Sequence, residues 1–106
     1  MPKYLIQGNY VGEGVKGLLK EGGSSRRTAI EKLVQSLGGT VESVYYAFGE
    51  TDIYVIVDAP DNISVAAASL IANASGAVAV KTTVLLTPEE MDEAAQKTPD
   101  YRPPGS

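Results

Sequence analysis

Asp52 is the carboxylate best placed to do chemistry. It follows the glycine-containing link Gly49-Glu50-Thr51 and opens a run of alternating apolar residues. A carboxylate there could accept a proton or hold a substrate hydroxyl. It could equally accept backbone amides within its own turn, as aspartates in turns commonly do. Tyr10, Tyr45, Tyr46 and Tyr54 combine flat apolar rings with hydroxyl groups, a pairing suited either to a ligand pocket or to a core or interface. Arg26, Arg27, Lys16, Lys20 and Lys81 could hold an anionic ligand. Arg26 and Arg27 fall near an expected helix start, where free amides also attract anions. Tyr10, Tyr46, Tyr54, Arg26 and Lys81 are therefore the candidate ligand-binding residues, and Asp52 is the candidate catalytic one.

The missing residue types exclude more. The chain has no histidine and no cysteine. A hydrolase triad of the usual form, thiol chemistry and a zinc or haem-iron site of the usual form are therefore excluded. No cofactor or metal is expected. Gly8-Asn9-Tyr10-Val11-Gly12-Glu13-Gly14 lacks the Lys-Ser/Thr ending of a phosphate loop and the parallel β-α-β setting of a dinucleotide fingerprint. Asp58 with Asp61 and Glu89 with Glu90 are carboxylate pairs, but helix capping accounts for three of the four.

Bulk properties narrow the class further. At 106 residues the chain suits one domain. The net charge of −4 argues against nucleic-acid binding, which needs a basic face. No apolar stretch is long enough to span a bilayer. No charged-then-apolar leader follows Met1-Pro2-Lys3, so a cytoplasmic location is expected.

The elements that must position these groups read clearly. Tyr4 to Tyr10 is strand-like, and Glu13 to Glu21 forms a short helix before Gly22-Gly23. Ser24 or Ser25 is expected to cap a second helix, whose stripe is Ala29, Ile30, Leu33, Val34 and Leu37 and whose end is Gly38-Gly39. Thr40 to Phe48 and Asp52 to Ala59 form a hairpin. Asp61 caps a helix to about Ala74, with Ile63, Ala67, Leu70, Ile71 and Ala74 expected against the sheet. Val78 to Leu86 is the fourth strand. Thr87-Pro88-Glu89-Glu90 opens a final helix with a capping box. Residues 1–97 form the domain, and 98–106, with three prolines, form a mobile tail.

This order predicts an α+β fold: a β-α-β-β-α-β antiparallel sheet with its main helices on one face, plus a C-terminal helix. Within the strands, Ile53, Val55 and Val57 oppose Tyr54 and Ile56. Val44, Tyr46 and Phe48 oppose Val41, Tyr45 and Ala47. Neither side is consistently polar, although a sheet face left in water should be. A second copy of the same sheet is the economical cover, so a homodimer or larger homo-oligomer is expected.

The chain resembles the GYD-domain family. The similarity lies in Lys3-Tyr4-Leu5, in Gly14 to Gly23, in Arg26-Arg27 and in Phe48-Gly49-Glu50-Thr51-Asp52. It continues through Val57-Asp58-Ala59-Pro60-Asp61 and Lys81 to Thr87. Thr51 stands where the family motif has tyrosine. The resemblance implies a ferredoxin-like fold of the dimeric α/β-barrel kind and leaves function unsettled. One expectation is a self-associating ligand-binding or structural module. The alternative is a cofactor-independent enzyme, monooxygenase-like or isomerase-like, acting on an aromatic or polyketide-like molecule.

Overall fold

A computed structural model describes residues 1–106. The elements run β1 (Lys3–Tyr10), α1 (Glu13–Glu21), α2 (Gly23–Ser36), β2 (Thr40–Tyr46), β3 (Ile53–Asp58), α3 (Asn62–Ala74), β4 (Val78–Leu85) and α4 (Pro88–Ala95). The four strands form one antiparallel sheet in the spatial order β2-β3-β1-β4. The fold is ferredoxin-like α+β, as the element order predicts.

Local chemistry explains where the helices stop and start. Gly38, at φ 83°, closes α2. Its amide donates to Gln35 and that of Gly39 to Val34, the paired bonds that use up a helix's last carbonyls. The Asp61 carboxylate accepts the Ser64 amide at 2.8 Å and starts α3. Thr87 and Glu90 complete a reciprocal capping box around Pro88. The start of α2 differs from expectation. The helix begins at Gly23 with Gly22 as its N-cap, and neither Ser24 nor Ser25 caps it, because both already lie inside the first turn.

The core forms on one face of the sheet. Tyr4, Ile53, Val55, Val57 and Ala59 are buried there with Val34 of α2 and Val65 of α3. The Tyr4 hydroxyl donates to Asn62 at 2.6 Å, which satisfies the one polar atom of a residue only 1 % exposed. Helix α2 packs chiefly over β2, and α3 over β4. The two helices thus sit over opposite edges of the sheet and straddle its centre.

Two expectations about faces are corrected. In α3 it is Val65, Ala68 and Ala72 that turn inward. Ile63, Leu70 and Ile71 point outward at 81, 71 and 65 % exposure. The larger residues make the stronger apolar stripe, but close approach to the sheet selects the smaller ones. In β2 the register shifts between Val41 and Ser43, with Glu42 the extra residue of a bulge. Val41 therefore shares the helix-side face with Val44 and Tyr46 instead of opposing them. Phe48 is in no strand; it lies fully exposed in the hairpin loop, which the Ala47 amide closes on the Asp52 carbonyl at 2.7 Å.

The opposite sheet face has no helix on it and is mixed in character. Leu5, Tyr54 and Ile56 lie across its middle, flanked by Tyr45. One end is polar: Lys3 reaches Asp58 at 3.0 Å and Glu42 at 2.9 Å. Hydrogen bonds to Glu42 and Asp58 hold the Lys3 ammonium above its ordinary pKa. The last helix, α4, has no buried residue and no substantial contact with the rest. No helix is long and apolar enough to cross a membrane.

Candidate functional site

Because α2 and α3 straddle the sheet, a hollow of about 120 Å³ remains over the central strands. Ile6 and Val55 form its floor, Ile30 and Leu33 of α2 one wall, and Ala68 and Ala72 of α3 the other. Of its 14 lining residues 11 are hydrophobic, so it has the apolar character of a small-molecule pocket. Gly8 is part of the floor: a Cβ there would come within 2.9 Å of Ile53. An engineered apolar cavity of roughly 150 Å³ takes benzene, which sets the scale of what fits.

The polar groups gather at one end. Tyr10 is the last residue of β1, Tyr46 the last of β2, and Arg26 lies in the first turn of α2. Tyr10 and Arg26 line the hollow. Tyr46 lies beside them and donates its hydroxyl proton to the Gly23 carbonyl at 2.9 Å. Its ring rests so close to Gly23 that a Cβ there would meet it at 3.0 Å. Burial raises the Tyr46 pKa above its ordinary value, the Tyr10 hydroxyl adds to the rise, and Arg26 partly opposes it. Tyr46 is therefore a protonated donor at neutral pH rather than a base. Arg26 makes one loose ion pair, 3.6 Å to Glu21.

The other candidates lie elsewhere. Tyr54 and Lys81 are on the helix-free face of the sheet. Lys81 borders a shallow polar hollow there with Gln7, Asn9, Glu50 and Thr51. Asp52 does not line the helix-side hollow. Its carboxylate accepts the Tyr10 amide at 3.0 Å, and its own amide donates to both the Gly8 carbonyl and Asn9 Oδ1, each at 3.0 Å. The sequence thus supplies Tyr10, Tyr46 and Arg26 as a group and leaves Asp52, Tyr54 and Lys81 apart from it. It gives no sign of Ile30, Ala68 or Ala72 as pocket residues; the one available clue is the run of small residues in α3. No cluster of three or more acidic side chains could hold a metal ion.

Fold and hollow together define a ferredoxin-like α+β domain with an apolar pocket between its helices and its sheet. The GYD domain matches residues 4–95, and the chain belongs to the GYD domain family. No curated protein and no solved structure matches it.

Proposed function

We propose that this GYD domain is a self-associating cytosolic module that binds a small apolar molecule between α2 and α3. The observation that carries the reading is the hollow itself. Protein interiors ordinarily close such gaps, and three residues lining this one, Gly8, Ala68 and Ala72, have little or no side chain to fill it. Binding is favoured over catalysis because no carboxylate, histidine or cysteine lines the hollow. The alternative, a cofactor-independent enzyme on an aromatic or polyketide-like substrate, draws on the tyrosine pair at the mouth.

Self-association is supported by how little the chain buries alone. Eleven of its 106 residues are buried, and 14 large hydrophobic side chains are exposed. Leu5, Tyr45, Tyr54 and Ile56 give the helix-free face the composition of an interface core.

The test is a thermal-shift series with benzene, toluene and indole, run beside sedimentation velocity. At a ligand concentration 100 times Kd, stabilisation is about 2.7 kcal/mol. A rise in Tm with at least one probe and a sedimentation coefficient above that of a monomer are expected. No shift with any probe, or a folded monomer at micromolar concentration, overturns the corresponding half.

A further inference from the structure

We propose that the ligand is an acid: a single-ring aromatic or short branched carboxylate whose apolar body fills the hollow while Arg26 binds its carboxylate at the mouth. This rests on the hollow being a ligand site and adds the class of ligand. Size sets the body. About 120 Å³ lined by Ile6, Ile30, Leu33 and Val55 admits one ring or a branched alkyl group.

Hydrogen-bond accounting sets the head group. The Tyr46 proton is committed to the Gly23 carbonyl. The neighbouring Tyr10 hydroxyl and Arg26 also line the mouth. The Tyr46 hydroxyl is thus satisfied within the protein. Arg26 is not: a guanidinium has five N–H donors, and its one charged partner, Glu21, is 3.6 Å away. Its side chain is 34 % exposed, enough to keep the charge solvated and to leave the fork accessible. No carboxylate lines the hollow. A ligand carboxylate would meet a planar, two-pronged donor with no competing anion on the apolar side, the geometry for which arginine surpasses lysine. A neutral ligand of the same shape would leave those donors unused.

The experiment compares benzoate, benzyl alcohol and toluene by calorimetry on the full chain, with Arg26→Gln, Ala72→Leu and Ile30→Phe as variants. Circular dichroism and Tm confirm folding first; Ile30→Phe fills the hollow from the other wall should Ala72→Leu fail to fold. Benzoate is expected to bind tightest. Arg26→Gln should weaken benzoate about 10- to 100-fold, the range for a charge-assisted hydrogen bond, and leave toluene unchanged. The filling variants should abolish binding of all three. If benzyl alcohol and toluene match benzoate, or Arg26→Gln leaves the preference intact, the acid assignment fails while the hollow remains a ligand site. If benzoate binds equally well to the filled variants, it sits outside the hollow and the proposal is overturned. If none of the three binds the parent chain, both readings fall.

Discussion

The carboxylate of Asp52 accepts the backbone amide of Tyr10 at 3.0 Å, tying the start of β3 to the last residue of β1. The bond crosses between strands instead of closing the hairpin in which Asp52 sits. It also fixes the backbone from which the Tyr10 ring projects into the hollow. Asp52→Ala should lower stability by about 1–2 kcal/mol, the cost of leaving a part-buried amide without its acceptor. Asp52→Asn should recover most of this, since its amide oxygen still accepts. Urea unfolding at fixed protein concentration measures both, and equal losses in the two variants would give the charge a role of its own.

Two glycines of α1 should respond oppositely to alanine. A Cβ at Gly14 would lie 1.8 Å from the Ala77 carbonyl oxygen, a backbone atom that cannot step aside. Gly14→Ala should cost about 3 kcal/mol through forced displacement of α1. Gly17 has open space around its Cβ position. Gly17→Ala should stabilise by roughly 0.5–1 kcal/mol, because alanine restricts the unfolded chain and favours helix. Thermal melts of the pair give the sign directly.

Asp61 predicts the acid limb of stability. Bonds from the backbone and side chain of Ser64 lower its pKa in the folded state. A depressed carboxylate contributes stability that is present above its unfolded pKa of about 3.9 and is lost as pH falls through the folded value. Asp61→Asn should therefore flatten the loss of stability below about pH 4 while keeping a cap on α3. Asp61→Ala should lower stability at neutral pH, because it removes the cap of α3. Denaturant midpoints from pH 7 downward test this, and an unchanged acid slope in Asp61→Asn would refute it.

Ile56 tests the assembly. It lies mid-strand on the helix-free face, paired with Leu5 on one side and Ser43 on the other. Ile56→Lys should shift the sedimenting species to monomer, because burying the charge at a sheet-to-sheet contact without a partner is costly. Far-ultraviolet circular dichroism should stay the same. A variant that remains assembled would move the interface elsewhere, and the exposed row Ile63, Leu70 and Ile71 would be the next place to examine.

What could be read from the sequence was what neighbouring residues decide. Gly38-Gly39, Asp61 and the Thr87–Glu90 box act within a single turn, so residue types and spacing suffice. The inward face of α3 differs from the sequence expectation because hydrophobicity ranks Ile63 and Leu70 above Ala68 and Ala72, whereas packing distance ranks them the other way. The bulge at Glu42 inverts the parity of β2, and nothing in Thr40-Val41-Glu42-Ser43 marks it. The partner of Asp52 lies 42 residues away in sequence, beyond any turn rule. Of the candidate site, Tyr10, Tyr46 and Arg26 were visible by type. The hollow they border was not, because a void is set by the spacing of two helices rather than by any residue.

The sheet is one residue thick, and its central strands alternate between its two sides. Ile6 and Val55 floor the hollow, while Leu5 and Ile56, their immediate neighbours in the chain, face the side left free of helices. Whatever presses on one side is felt through a single backbone layer by the other. If occupancy and assembly are coupled through that layer, the coupling must be reciprocal. If pairing of two copies tightens ligand binding by some factor, the ligand tightens pairing by the same factor. A concentration series of sedimentation profiles with and without benzoate would read that factor from either direction.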